Sequence, residues 1–377
     1  MFEIFFWFLA SVLTVICCIS LYNFFTFIKV KRSLDIHAHL PFVSVLVPAR
    51  NEERCIRDCI ESLSNQHYPN YEIIILNDDS RDSTSLILSE LKSQYPNLIQ
   101  IVNSSELPKN WIGKSHACHV LSLHAKGDYF LFTDADTKHS PYSLNSLIQQ
   151  TQQLQADLLT AVPYQQLSSI WEHLMVPFMH VLYHGYLPNS FIYSKRNPSL
   201  VAANGQIMLF HRDAYEAIGG HKSVKDSLVE DIDIARLTKI NGYKVVLANA
   251  ISIVSCSMYT GFDEVFKGFS KNFFAGFQEK IIPFVLFLVH VINVYVFPFF
   301  LAIYSIISKN IFLLRWSIVL LSLGMIIRLF ATLQFRLPLF HVLLQPFSAM
   351  LTIIIGINSI VWSLPGRKRI WKGRIYQ

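Results

Sequence analysis

Three short polar clusters have residue types suited to work on a phosphorylated donor. Asp134-Ala135-Asp136 closes the apolar run 129–132. Residues i and i+2 at the end of a strand face one side. Both carboxylates can therefore serve one hard divalent cation, manganese or magnesium, of the kind that takes oxygen ligands and substrate phosphates. Such an ion would act as a Lewis acid on a departing nucleoside diphosphate. Asn77-Asp78-Asp79-Ser80 follows an isoleucine-rich run. It reads either as a carboxylate for the base or ribose of a nucleotide, beside the loop 48–53, or as an Asx-type turn. Glu230-Asp231 opens the segment VEDIDIARLTKINGYK. One reading is a general base that takes the proton of an acceptor hydroxyl; the other is an acidic pair favoured by the dipole of a helix's first turn.

The elements that must hold these clusters are legible between residue 41 and about residue 250, where short β-branched runs alternate with amphipathic segments. That alternation predicts βαβ units and a mostly parallel sheet, hence an α/β domain. Strands are expected at 43–47, 72–76, 98–102, 129–132, 158–161 and 245–248, with helices at 52–64 behind Asn51 and 83–94 behind Asp82. Ligands of such sheets bind beyond the carboxyl ends of the strands. The loop 48–53, Asn77 to Ser80 and Asp134 to Asp136 all fall there. The stretch 171–193 is apolar and aromatic but broken by Pro177, Gly185 and Pro188. It either dips into the membrane surface to shape an acceptor groove or packs as core.

Composition adds a membrane. The chain is 52% hydrophobic and 15% charged, outside the usual range of soluble domains. Residues 4–28, 281–307 and 337–364 carry no charged side chain, and each exceeds the roughly 20 residues a spanning helix needs. The region 1–32 reads as a retained anchor, because Glu3 rather than a cationic region precedes its apolar run. Lys29, Lys31 and Arg32 follow, so the positive-inside tendency puts the later residues in the cytoplasm. The expectation is a multi-pass cell-membrane protein with a cytoplasmic catalytic domain at 41–275, a C-terminal transmembrane region at 281–364 and a basic cytoplasmic tail at 365–377. If 281–307, 311–333 and 337–364 all cross, however, that tail ends outside. The segment 311–333 holds Arg315 and Arg328, each costing ~3 kcal/mol at a bilayer centre; it is the weakest of the crossing candidates, and the alternative is that it lies in the interface. The net charge of +6 belongs mostly to the juxtamembrane groups and to Arg367, Lys368, Arg369, Lys372 and Arg374. It points to anionic lipid headgroups and not to nucleic acid. The six cysteines show no zinc-type pairing, and His116, His119 and His124 lack the i, i+4 spacing of a helical zinc site.

In chain order, P-A-R-N-E-E (48–53), N-D-D-S (77–80), D-A-D (134–136), G-G-H (219–221) and E-D (230–231) resemble family 2 glycosyltransferases of the GT-A fold over nearly the whole chain. N-W-I-G-K-S-H-A-C (110–118) and W-K-G-R (371–374) resemble the bacterial carotenoid-acid and hopanoid-associated branch. The resemblance implies a GT-A catalytic domain, Rossmann-like with a mostly parallel sheet, joined to transmembrane helices. It implies that Ala49, Arg50, Glu52 and Asp78 contact the nucleotide and that Lys114 supports its uridine or phosphates. Asp134 and Asp136 become the metal and diphosphate site and Asp231 the base, while Glu230, His221 and Lys271 are further positions for acceptor or diphosphate. The implied reaction moves a hexose, expected to be glucose, from a UDP-sugar to a lipid-soluble acceptor such as a carotenoid acid or a hopanoid. Polyprenyl phosphate and diacylglycerol are alternative acceptors. A non-catalytic nucleotide-sugar-binding membrane protein is the alternative of another class. Two departures bear on this. Asp79 stands where D-D-G-S has glycine, and Q-x-x-R-W, the acceptor motif of processive synthases, is replaced by F-K-G-F-S-K-N at 266–272, which disfavours chain extension. Lys267 or Lys271 there either meets a diphosphate or acidic acceptor or belongs to a basic belt beside the membrane.

Overall fold

The computed structural model describes residues 2–33, 40–104, 106–364, 369–371 and 374–376. Arg367, Lys368 and Lys372 of the expected tail lie outside the described residues. The helices are α1 (Phe2–Thr26), α2 (Ile56–Ser64), α3 (Thr84–Gln94), α4 (Gly113–His124), α5 (Ser143–Leu154), α6 (Ile170–Gly185), α7 (Asn189–Ser194), α8 (Arg212–Ala217), α9 (Glu230–Ile240), α10 (Phe262–Asn272), α11 (Ile281–Val291), α12 (Phe297–Ile307), α13 (Ile311–Gln334) and α14 (Gln345–Ser363). The strands are β1 (Val43–Ala49), β2 (Tyr71–Asn77), β3 (Ile99–Asn103), β4 (Tyr129–Thr133), β5 (Thr137–His139), β6 (Leu158–Val162), β7 (Tyr164–Gln165), β8 (Ile207–His211), β9 (Val245–Asn249), β10 (Val254–Cys256), β11 (Arg369–Trp371) and β12 (Arg374–Tyr376). Two compact units result: Ile28–Gln166 with Ile192–Met258, and Met1–Phe27 with Leu167–Phe191 and Tyr259–Gln377.

The first unit is built on a seven-stranded sheet of order β3-β2-β1-β4-β8-β6-β9. Its strands are near-continuous apolar runs because both faces are covered. Val45, Ile73 and Leu131 are fully buried, and Val45 lies level with both Ile73 and Leu131 across the parallel pairs. Ile56 and Ile60 of α2, Leu88 and Leu91 of α3, and Leu144 and Leu147 of α5 share that core. Each such fully buried side chain contributes about 1.5–3 kcal/mol of apolar burial. One strand departs from the sequence expectation: β8, absent from the expected set, runs antiparallel between β4 and β6. A small sheet β5-β10-β7 lies beside the main one in chain order and receives the turn that leaves β4.

The second unit is helical. Among the described residues four of its helical segments can cross a bilayer by length and composition: Glu3–Thr26, Ile281–Ile307, Ile311–Gln334 and Gln345–Ser363. The second is α11 and α12 joined by a π-helical turn at Ile292–Val296. Residues 171–191 of the stretch 171–193 belong to this unit, and its helix packs into the core: α6, begun by a Ser169–Glu172 capping box and continuous through Pro177, buries Met175, Phe178 and Val181 completely. The expected domain 41–275 is therefore divided, since 167–191 and 259–275 join the helical unit. The segment 311–333 forms most of α13. α13 is unbroken and packs lengthwise on α1, with Phe6 stacked on Trp316 and Phe24 near Phe330. Arg328 is turned inward and fully buried, its Nη2 donating to Ser348 Oγ at 3.4 Å.

Candidate functional site

Loops following β1 and β2 interlock. The Ala49 carbonyl accepts from the Asp78 amide at 2.8 Å. The Arg50 guanidinium donates to the Asp78 carbonyl and stands 3.7 Å from Asp79 Oδ2. The Asn51 amide donates to Ser80 Oγ at 3.1 Å, Asn51 Oδ1 accepts from the Arg81 amide at 2.9 Å, and the Glu52 amide donates to Thr84 Oγ1 at 2.8 Å. Neighbouring parallel strands set their following loops side by side, which is why residues 28 positions apart meet. Asp78 is buried. Asp79 takes a φ of 53°, the left-handed conformation a glycine would adopt there, and aspartate is among the side chains that tolerate it.

Asp134-Ala135-Asp136 is a turn from β4 of the large sheet into β5 of the small one. The Asp134 carbonyl accepts from the Thr137 amide and hydroxyl at 3.2 and 2.8 Å. Extended alternation, expected to align the two carboxylates, is thus replaced by a turn; both nevertheless act on one sulfur. Cys256 Sγ in β10 donates to Asp136 Oδ1 at 3.4 Å. Burial first, then Asp136 and Asp134, hold that thiol well above its usual range. Among the described residues no group of three or more His, Cys, Asp or Glu side chains could hold a metal ion unaided. A pair of carboxylates completed by substrate phosphates is the arrangement magnesium commonly adopts, and hard oxygen donors of this kind fit it.

Lys114, in the first turn of α4, bridges two other elements. Its Nζ lies 2.8 Å from Asp134 Oδ1 and 3.0 Å from Glu230 Oε1. Burial lowers this ammonium's proton affinity, but Asp134 and Glu230 together outweigh it and hold Lys114 well above its ordinary range. Glu230 and Asp231 begin α9. Asp231 Oδ2 accepts from the Gly205 amide at 3.0 Å, and Oδ1 from the Ile232 amide at 2.9 Å. Burial and the neighbouring Glu230 raise Asp231 to about 7, against the pull of Lys114 and the two amides. A carboxyl ionising near neutrality is matched to general-base work. Gly205, just ahead of β8, is the residue that sequence reasoning missed. A Cβ there would stand 3.1 Å from Lys114 Nζ and 3.4 Å from Asp231 Cβ. Cys256 was likewise unassigned, and no motif marked either one.

The structure thus brings together Lys114, Asp134, Glu230 and Asp231, with Asp136 on the adjoining turn and Ala49, Arg50, Glu52 and Asp78 in the interlocked loops of the same unit. His221 is buried behind them. Its Nδ1 is 2.9 Å from the Tyr215 hydroxyl, its ring meets Phe132 edge-on at 4.7 Å, and burial lowers it to about 3. Gly220, at φ 54°, leaves the space that the Tyr215 ring fills. Lys271 lies on α10 in the helical unit and not in the unit that carries the other site residues.

The glycosyl transferase family 2 profile matches residues 44–219. Two curated relatives, each named 4,4'-diaponeurosporenoate glycosyltransferase, come from Staphylococcus haemolyticus (strain JCSC1435) and Staphylococcus aureus (strain MRSA252). Each is 28% identical over 237 residues, 62% of this chain and 61% of the relative. The match therefore spans less than two thirds of the length of these relatives. Among solved structures, the mannosyltransferase PcManGT from Pyrobaculum calidifontis, in complex with GDP-Man and Mn2+, aligns with a TM-score of 0.54 at 18% identity, over 95% of this chain and 98% of that one. At that identity the likeness is one of fold: the chain has the GT-A fold, and its residues 44–219 match the glycosyl transferase family 2 profile.

Proposed function

We propose that the chain is a membrane-bound inverting glycosyltransferase that moves glucose from UDP-glucose to a carotenoid carboxylic acid. The observation carrying this reading is the Lys114 ammonium held between Asp134 and Glu230, with Asp231 alongside. Cationic and basic functions then share one site at the strand ends. The names of the relatives supply the acceptor class. The four long apolar helices support a membrane location, and Lys29, Lys31 and Arg32 support a cytoplasmic catalytic domain.

In the proposed reaction the bond from the anomeric carbon to the acceptor oxygen forms as the bond to the diphosphate breaks. The electron pair leaves on the diphosphate and the configuration inverts. A manganese or magnesium ion at Asp134 and Asp136 would supply Lewis-acid stabilisation of that leaving charge. Lys114 places a fixed cation next to Asp134, where negative charge develops, the kind of preorganised electrostatics that lowers such barriers. Arg50 and Asp78 hold the nucleotide in the interlocked loops. Asp231 removes the proton when the acceptor is a hydroxyl; a carboxylate acceptor brings none.

That difference sets the test. Membranes carrying the wild type or Asp231→Asn are given radiolabelled UDP-glucose, with and without manganese, and solvent-extracted lipid is counted. Labelling that survives Asp231→Asn supports the carboxylate acceptor. Labelling that the substitution destroys assigns a hydroxyl acceptor, such as diacylglycerol or a hopanoid, and overturns the carotenoid acid. Retained UDP binding with no transfer to any lipid would favour a non-catalytic nucleotide-sugar-binding protein.

A further inference from the structure

Four crossings would put the residues before α1 and those after α14 on one face. The closing basic residues would then lie on the face opposite Lys29, Lys31 and Arg32, against the positive-inside tendency. The directions of the helices within the helical unit give a different count. α1 and α13 run parallel, since Phe6 meets Trp316 and Phe24 meets Phe330. α12 and α13 are joined by residues 308–310 alone and run antiparallel, with Gly324 against Tyr295. A further crossing would have to run antiparallel to α13. α14 runs parallel to it instead: Gln345 and Pro346 line one small cavity with Leu320, Leu321, Gly324 and Met325, and Ser348 meets Arg328 about one turn further on in each helix. Against α11 and α12 the helix is antiparallel. Phe347 packs on Phe299 at 5.4 Å, Gly356 faces Leu288 and Phe284, and Ser359 Oγ accepts from the Phe274 amide at 2.9 Å, just before α11 begins.

α14 therefore starts beside Gly324, about ten residues before α13 ends. At 1.5 Å per residue that is about 15 Å in from the end of α13, near the middle of a hydrocarbon core of about 30 Å. Residues 335–344 must climb back to reach it; past the exposed Arg336 at the end of α13, they are made for hydrocarbon. From Leu337 to Leu344 no side chain is charged. The outward-facing ones are Leu339, Phe340 and Leu343, at 61%, 47% and 64% exposure, where a loop in water would present polar groups. The backbone closes on itself in successive turns: the Leu337 amide donates to the Thr332 carbonyl at 2.9 Å, His341 to Pro338 at 3.1 Å, and Leu343 to Phe340 at 3.1 Å. Non-helical chain at membrane depth requires such internal pairing.

We propose that residues 335–363 form a re-entrant hairpin, so that the chain crosses the membrane three times. The segment after Ser363 then leaves on the face of Lys29, Lys31 and Arg32. Two basic stretches on one leaflet give that face its attraction for anionic lipid headgroups.

The test uses the full chain with an epitope inserted at Lys309 or placed after Gln377, probed in sealed cells with an impermeant antibody and again after permeabilisation. Epitopes on opposite faces are expected. Epitopes on the same face would overturn the hairpin. Leu343→Lys provides a second reading: it should cut the membrane-inserted yield several-fold relative to Ser308→Lys at the α12–α13 turn. Equal yields would place Leu343 in water and overturn the proposal independently.

Discussion

Gly205→Ala isolates the electrostatics of the site from the fold. Gly205 is not among the glycines with positive φ, so alanine fits the backbone, and stability should stay within about 1 kcal/mol of the parent. The added Cβ would stand 3.1 Å from Lys114 Nζ, and the flexible lysine tip must withdraw by a few tenths of an ångström. Lys114 holds Asp134 at 2.8 Å and Glu230 at 3.0 Å. Hydrogen bonds to charged groups contribute about 1.5–3 kcal/mol each, discounted here because the Lys114 side chain is 34% exposed. Loosening both is expected to raise the barrier by about 1.4–2.7 kcal/mol, or 10- to 100-fold in turnover. The assay is kcat and KM for the donor on the purified full chain, with a thermal melt in parallel. A double-mutant cycle with Lys114→Met completes it. If Gly205 acts through Lys114, the alanine should cost little once the lysine is gone. Undiminished turnover, or two losses that simply add, would refute the reasoning.

Asp231 also leaves a mark on stability. Its folded-state ionisation is raised to about 7 from an ordinary 3.8, so between those pH values the unfolded chain binds fewer protons and stability falls as pH rises. Asp231→Asn should flatten that slope by on the order of 4 kcal/mol between pH 4 and pH 8, read as melting temperature against pH. An unchanged slope would mean that Asp231 ionises normally. Asp136→Ala should abolish metal-dependent turnover while membrane insertion stays intact, checked by activity beside membrane fractionation. Gly356→Leu should destabilise the helical unit by about 1–3 kcal/mol, because even a Cβ there would come within 2.7 Å of Leu288; a melt of the detergent-solubilised chain checks it.

Strands such as Val43–Ala49 and Tyr71–Asn77 were legible because burial on both faces leaves unbroken apolar runs, and the clusters at their ends were legible because ligand chemistry needs particular side chains. β8 was not, since Ile207-Met-Leu-Phe is a short apolar run that periodicity alone cannot assign. Gly205 was invisible for a different reason: it contributes an amide and the absence of a side chain, which no residue pattern announces. Lys271 was read from its place in sequence order, which does not show that its helix belongs to the helical unit. Hydropathy found Gln345–Ser363 but carries no direction, so the parallel course of α13 and α14 became visible only in the packing of Ser348 on Arg328.

The most direct test of the central claim is transfer of glucose from UDP-glucose to an added carotenoid carboxylic acid by the purified full chain, compared with Asp134→Asn at matched folding. The account predicts a glucosyl ester formed only with a divalent metal and reduced at least ~100-fold in the variant. Equal product from Asp134→Asn, or no glycosylated product from any UDP-sugar, would contradict it.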